Sequence, residues 1–397
     1  MEQMPMARPA DIVKQTRSWA CYDCGKCTGT CPISRAGGDY SPRRQVLAAN
    51  LGRHGDIEID GTLASCLTCS LCDERCPVEV DYTNLVRQLR ERAFRPGTEM
   101  ECPHGGALQS TMRMMANGTV RQNRLGWVTD DLKTDRGTGR VFYWAGCAVY
   151  YNAFFPKLPV RIVEGNRAAV RLMNYLNFTP IVSPDERCCG HDLLWNGDRD
   201  NFERLARQNV ALVAESGADV LVTSCAECLR TWKLDYTPFF AAKPPRILHI
   251  TEFIAEHKSE LKFEANGKRR VVYQDPCRLG RHLGIYDPPR ELLRAIPNVE
   301  LVEMPRSRHA AICCAGGTWS SCDRFAKRIQ VDRLREARAT QAEVLATACP
   351  KCQIHFSCAM KDPNLGGDVE IEMRDVAELI VDSLSIGQKT GSLSRGK

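Results

Sequence analysis

The stretch Val141-Phe142-Tyr143-Trp144-Ala145-Gly146-Cys147 is a short apolar run that ends in a cysteine, and it has a later counterpart in Val271-Val272-Tyr273-Gln274-Asp275-Pro276-Cys277. From each, the chain goes on to an adjacent cysteine pair, first Cys188-Cys189 and then Cys313-Cys314. Each copy then reaches a second apolar run closed by a CxxC. These are Val220-Leu221-Val222-Thr223-Ser224-Cys225-Ala226-Glu227-Cys228 and Val344-Leu345-Ala346-Thr347-Ala348-Cys349-Pro350-Lys351-Cys352. Cys277 follows Cys147 by 130 residues, Cys313 follows Cys188 by 125, and Cys349 follows Cys225 by 124. Self-similarity at one period marks a duplicated domain. The apolar runs read as buried parallel strands whose C-terminal ends present the cysteines. Phe202, Leu205, Ala206, Val210 and Val213 recur at helical spacing, and 161–176 and 324–339 follow the same outline. Strand alternating with helix predicts an α/β domain in each copy.

The chain has 397 residues, 43% hydrophobic and 26% charged, which suits two or three globular domains with real cores. Such a chain needs no disulfide staples, so its 21 cysteines require another explanation. The first ten residues include Glu2 and two prolines and have no apolar core, so they do not read as a signal peptide. No run approaches the roughly 18 uninterrupted apolar residues of a membrane span. A cysteine-rich chain of this kind is expected to be cytoplasmic and to bind metal rather than form disulfides. It would reach the inner face of a membrane only through a partner. The formal net charge of +6 counts every cysteine as neutral, whereas metal ligands are thiolates, so it implies no nucleic-acid partner.

Eight further cysteines stand in two identical runs. Cys21, Cys24, Cys27 and Cys31 have C-x2-C-x2-C-x3-C spacing and precede Pro32. Cys66, Cys69, Cys72 and Cys76 repeat it 45 residues later and precede Pro77. Structural zinc sites use four ligands, usually as two separated pairs, which fits these runs poorly. The spacing is that of two-cluster ferredoxins, in which the cysteine before proline serves the other cluster. That implies Cys21, Cys24, Cys27 and Cys76 for one [4Fe-4S] cubane, and Cys66, Cys69, Cys72 and Cys31 for a second. The linker has Pro42 at a helix start followed by good helix formers, and 84–94 also reads helical. An α-helical ferredoxin domain is therefore expected.

One cysteine, a Cys-Cys pair and a CxxC together make the pattern of the CCG domain. Preceded by two ferredoxin motifs, the chain resembles the D-type subunit family of heterodisulfide reductase over about residues 15–360. It also resembles that enzyme's C-type subunit fused to its B-type one, and the iron–sulfur subunits of glycolate and lactate oxidases share the order. The resemblance implies one noncubane [4Fe-4S] cluster held by Cys147, Cys188, Cys189, Cys225 and Cys228. A second would be held by Cys277, Cys313, Cys314, Cys349 and Cys352. It implies an oxidoreductase subunit of anaerobic metabolism in which two cubanes pass electrons to two noncubane clusters that reduce a disulfide. Partners would be other redox subunits, a flavoprotein or a membrane cytochrome b-type protein. Two other readings are a non-catalytic electron relay, of benzoyl-CoA reductase or quinone-linked type, and the iron–sulfur subunit of a hydroxy-acid dehydrogenase. Both copies keep all five cysteines, which favours the disulfide-reducing branch. Departures from the family lie beside the second set: Gln274 replaces the usual His, Arg278 follows Cys277, and Ala315-Gly316-Gly317 follows Cys314.

The expected fold class is α+β multidomain: a helical two-cluster ferredoxin domain followed by two duplicated α/β CCG domains. The expected division is 1–100 for the ferredoxin part, 101–139 for a linker, 140–262 and 263–385 for the CCG domains, and 386–397 for a disordered tail. Cys102, Cys322 and Cys358 fall outside all four motifs and read as buried thiols. His191, His282 and His309 lie beside motifs, as tuning groups or as structural histidines. Arg278, Arg281, Arg306 and Arg308 read as solvated charges or as anion-facing groups. Gly316-Gly317 suggests close backbone approach to a cluster.

Overall fold

The computed structural model describes residues 7–53, 55, 62–95, 104–265, 267–320, 322–364 and 367–385. The apolar runs before the cysteines form two parallel sheets. The first takes the order β1-β2-β3, from β1 (Val141–Trp144), β2 (Val220–Thr223) and β3 (Arg246–His249). The second takes the order β5-β4-β6-β7, from β4 (Arg269–Gln274), β5 (Val299–Val302), β6 (Val344–Thr347) and β7 (Glu372–Asp375). In register, Val141 faces Val220 and Val220 faces Arg246; likewise Val271 faces Val344 and Val344 faces Glu372. β1 and β6 are buried along their whole length, as parallel strands covered on both faces are. The two sheets are the same design with one difference. β5 extends the second sheet beside β4, whereas in the first copy the matching position is a single bridge from Ile181 to Phe142.

The N-terminal part is built of short helices: Lys26–Thr30, Pro32–Arg35, Pro42–Asn50 and Tyr82–Ala93. Pro42 sits at the start of its helix, where its missing N–H costs nothing, and Ser41 Oγ accepts from Arg44 N. Asp81 caps the helix Tyr82–Ala93 by accepting from Asn84 N at 3.1 Å. The chain is thus helix-rich with two small parallel sheets, an α+β multidomain fold. Within 104–139, expected as linker, the helix Ala107–Ala116 buries Leu108, Met112 and Met115 against the first copy, and Trp127 and Leu132 are buried too. Cys102 and the tail 386–397 lie outside the described residues.

Two joints fix the parts to one another. Arg90, fully buried, donates to the carbonyls of Leu63 (2.6 Å), Cys66 (2.7 Å) and Trp195 (2.9 Å), which ties the ferredoxin part to the first copy. Gly197 packs directly on the Arg90 carbonyl at φ +94, where a Cβ would collide with that backbone. The second joint is reciprocal. The first copy's last helix, Ile250–Glu256, packs on Asp287–Ala295 of the second copy, and the second copy's last helix, Val376–Ser383, packs on Ile162–Tyr175 of the first. Arg161 Nε meets Glu378 Oε1 at 2.7 Å across that contact. No helix among the described residues is long and apolar enough to cross a membrane.

Candidate metal centres

Both four-cysteine runs take the same turn. Asp23 and Gly25 have φ of +62 and +76, and Thr68 and Ser70, at the matching positions, have +49 and +57. Left-handed backbone at three non-glycine residues is costly and persists only where the surroundings impose it. The runs cross. Cys76 shares a recess with Cys21, Cys24 and Cys27, and Cys72 lines that recess as well. Cys31 is buried beside Cys66 and Cys69, and burial, aided by those thiols, pushes it up to about 12. The first group opens to solvent at Cys24, whereas Cys31, Cys66, Cys69 and Cys72 are buried. Asp73 holds the second run to its helix. Its carboxyl, raised by burial to about 6, accepts from Tyr82 N (3.0 Å) and Thr83 N (3.3 Å).

The five cysteines of each CCG motif come together in the same order of contact. In the first copy Cys147 meets Cys188, Cys188 meets Cys189, Cys189 meets Cys228 (3.4 Å between sulfurs), and Cys228 meets Cys225. In the second, Cys277 meets Cys313, Cys313 meets Cys314, Cys314 meets Cys352, and Cys352 meets Cys349. The CxxC of each stands where β2 or β6 ends and the next helix begins. Gly146 is pressed against its set, since a Cβ there would stand 3.0 Å from Cys228 Sγ. Gly316 answers side chains instead: its missing Cβ leaves room for His355 Cδ2 (2.9 Å) and Lys351 Cδ (3.0 Å). Gln274 is a buried brace, donating to the Ile312 carbonyl (3.0 Å) and accepting from Arg333 Nε (2.7 Å).

Between the two sets lies a buried charged cluster. Lys351 Nζ donates to Asp192 Oδ1 (2.6 Å) and Glu227 Oε2 (2.8 Å), and its ammonium lies over the Trp319 ring at 4.9 Å. Burial alone would lower the Lys351 ammonium, but Asp192 and Glu227 outweigh it and hold it above its ordinary range. Burial drives Glu227 well up, while Lys351 holds Asp192 down against burial. His191 Nδ1 is 3.1 Å from Asp192, and burial lowers this ring to about 3, so it is neutral. His191, Asp192 and Glu227 are close enough to hold a metal ion, but the Lys351 ammonium already sits among them. The sequence singles out His191 and gives no such prominence to the other three. For Glu227 and Lys351 the signal is a charged residue inside each CxxC.

The second copy also grips the ferredoxin part. Arg278 donates to the Thr68 carbonyl and hydroxyl, both at 2.6 Å, and its guanidinium lies 4.3 Å from the Trp195 ring. Arg281 donates to the carbonyls of Cys69 and Ala311, both at 2.6 Å, and His282 Nε2 lies 3.0 Å from the Thr68 carbonyl. A hydrogen bond from Cys313 is the main cause that lowers the Cys69 thiol to about 6. The other candidates serve the scaffold. Arg306 pairs with Glu336, Arg308 with Asp287, and His309 is exposed. Cys322 and Cys358, expected as buried thiols, are only half-buried.

The chemistry of the donors fits iron–sulfur clusters. Eighteen cysteines are gathered in four thiol-rich sites, none of these eighteen in a disulfide, and thiolate is the ligand such clusters require. The buried Nη2 of Arg281 has no hydrogen-bond partner among the described residues and stands beside Cys69, Cys277 and Cys313.

The 4Fe-4S dicluster domain family matches residues 18–80, and the cysteine-rich domain family (CCG) matches 141–233 and 271–357. The chain is similar to the D-type subunit of the dihydromethanophenazine:CoB–CoM heterodisulfide reductase of Methanosarcina acetivorans. The two are 29% identical, over 92% of this chain and 94% of that protein. Its counterpart in Methanosarcina barkeri is 28% identical over the same shares. The B-type subunit of the CoM/CoB fumarate reductase of Methanothermobacter marburgensis is 25% identical over 94% of this chain and 74% of that one. Among solved structures, a hypothetical protein from Helicobacter pylori aligns over 97% of this chain and 78% of its own, at a TM-score of 0.53 and 11% identity, a likeness of fold alone. The chain carries a 4Fe-4S dicluster domain and two CCG domains, has homologues over most of its length among heterodisulfide reductase D subunits, and is an iron–sulfur electron-transfer oxidoreductase subunit.

Proposed function

We propose that this protein reduces a disulfide with electrons received from a redox partner. What carries the reading is that both five-thiol sets are complete, share one order of contact, and meet across the Lys351–Glu227 pair. Cys21, Cys24, Cys27 and Cys76 would hold one cubane cluster, and Cys31, Cys66, Cys69 and Cys72 the other. The set Cys147, Cys188, Cys189, Cys225 and Cys228 would hold one noncubane cluster, and Cys277, Cys313, Cys314, Cys349 and Cys352 the second. Bound there, such clusters store single electrons and offer iron to sulfur. The chain's own residues do the rest. The run around exposed Cys24 presents itself to a flavoprotein or a cytochrome b-type partner on the cytoplasmic side. The buried run of Cys66 to Cys72 is held in place by Arg90, Arg278 and Arg281, which donate to the carbonyls of Cys66, Thr68 and Cys69. Lys351, Asp192 and Glu227 fix the distance between the two sets. The overall reaction takes two electrons from the partner and two protons from water, breaks one S–S bond and releases two thiols. Residues 1–100, 140–262 and 263–385 are the units we assign to these tasks.

The test is anaerobic. The purified protein should hold about sixteen irons, four per site. A candidate disulfide or thiol should change its paramagnetic spectrum, because iron in one CCG site gains a sulfur ligand. Iron near eight with only ordinary cubane signals would rule out the two noncubane sites. Full iron with no response to any thiol or disulfide would make the protein a relay.

A further inference from the structure

Arg278 and Arg281 are unlike anything in the first copy. Counting from Cys147, the matching positions hold Ala148 and Tyr151. Both arginines are on the second copy, and both reach into the second four-cysteine run. Arg278 takes the Thr68 carbonyl and hydroxyl, and Arg281 takes the Cys69 carbonyl. Neither pairs with a carboxylate among the described residues; their other partners are the carbonyls of His309 and Ala311, the His282 ring and the Trp195 face. Arg278 is buried and Arg281 is half-buried with its Nη2 fully covered, and such cations without counter-carboxylates are expensive unless other anions stand near. The anions at hand are the thiols, when ionised, of Cys69, Cys277 and Cys313, the groups that raise the Arg281 guanidinium against its burial. Among the described residues Arg281 Nη2 has no hydrogen-bond partner, so a donor is left over on that side. Cys69 and Cys313 themselves touch, the place where thiols of the ferredoxin part meet those of a CCG set.

We infer that Arg278 and Arg281 are positioning residues that make the second copy the first receiver of electrons from the ferredoxin part. This deepens the proposed function and rests on it for the presence of clusters at both sites. In each step one electron leaves the site of Cys31, Cys66, Cys69 and Cys72 and arrives at the site of Cys277, Cys313, Cys314, Cys349 and Cys352. No bond forms or breaks. The two guanidiniums hold the donor and acceptor loops at one spacing, and their charge favours the more negative, reduced state on both sides of the contact. The first copy, with Ala148 and Tyr151 in their places, is reached through the second.

The experiment uses the full chain, purified anaerobically with its iron, as wild type, Arg281→Gln, Arg281→Lys and Arg278→Gln, with exposed Arg335→Gln as control. Redox titration followed by paramagnetic resonance reads the reduction potential of the second ferredoxin site. Freeze-quench after reduction reads how fast the second copy's signal appears. Arg281→Gln should keep its iron, shift the potential to more negative values and slow the second copy's reduction by at least about tenfold. Arg281→Lys should recover part of the shift, because it keeps the charge. If Arg281→Gln loses iron, Arg278→Gln carries the same expectation. Wild-type potential and rate in an iron-replete Gln variant would overturn the inference. So would Cys277→Ser protein whose first copy is still reduced at the wild-type rate. Neither readout needs disulfide turnover, so a protein that reduces no disulfide sinks the proposed function and leaves this test standing.

Discussion

Lys351 donates to Glu227 across the boundary between the two copies, Nζ to Oε2 at 2.8 Å, and the two residues occupy the same place in their CxxC motifs. The duplication has made one position cationic and the other acidic, so the matched motifs attract where identical copies would repel. Breaking a buried ion pair from one side leaves an uncompensated charge, at a cost of about 3–5 kcal/mol. Lys351→Met should therefore lower stability by that order, as read by denaturant unfolding, and weaken retention of iron in both CCG sites. Adding Asp192→Asn and Glu227→Gln should recover much of the loss. A triple variant no better than Lys351→Met alone would show that the pair is not what joins the copies there.

Cys314 is the link between Cys313 and Cys352. Serine is a harder and poorer iron ligand than thiolate. Cys314→Ser should lose or convert the iron of the second CCG site, leave both ferredoxin sites intact and abolish disulfide turnover. Cys322→Ser, outside every set, is the matched control. Iron content, spectrum and turnover of the two variants decide the matter side by side, and identical behaviour would remove catalysis from the second copy.

Gly197 is held at φ +94 with no room for a Cβ above the Arg90 carbonyl. Gly197→Ala should cost at least about 1–3 kcal/mol through backbone strain and displacement of Arg90. The damage should appear first as lability of the second ferredoxin site, because Arg90 also holds the Cys66 carbonyl. Iron release over time under mild denaturant measures it; wild-type retention would show that the joint yields freely.

His249 caps the helix Ile250–Glu256 by accepting from Thr251 N at 3.2 Å, and burial lowers its ring to about 4. A base with a depressed folded pKa lends stability above its unfolded value, near 6.5, and that stability is lost as pH falls from there toward 4. The full effect is about 3 kcal/mol. His249→Asn keeps a capping oxygen but cannot titrate. Between pH 7 and pH 5 its unfolding rate in urea should rise less than that of the wild type. Equal slopes would show that the acid lability comes from elsewhere.

Much of this is legible in the sequence because sulfur leaves sharp marks. Cys147 and Cys277 fix the ends of β1 and β4 from spacing alone, and the two CxxC motifs do the same for β2 and β6. β3, β5 and β7 carry no cysteine and are too short for periodicity to separate from loop, so they emerge only with the sheets. Helices are readable where caps are strong, as with Pro42 and its Ser41. The charged cluster escapes because Asp192, Glu227 and Lys351 are far apart in sequence and each alone looks like a solvated side chain. Arg278 stands out as a departure, but its partner Thr68 lies 210 residues away. Only tertiary structure brings such a pair together.

The reciprocal packing of the last helices reaches beyond this chain. Ile250–Glu256 rests on the second copy and Val376–Ser383 on the first, so each copy completes its core with a helix from the other. Two identical single-copy chains meeting in this way would form a two-fold dimer, with the same patch used on both sides. Within this one chain the same kind of pairing joins two copies that are no longer identical. The halves differ, with Arg278 and Arg281 in one where the other has Ala148 and Tyr151. A polarity that a symmetric dimer cannot have, with one side for receiving and one for handing on, is open to one chain with two unlike halves.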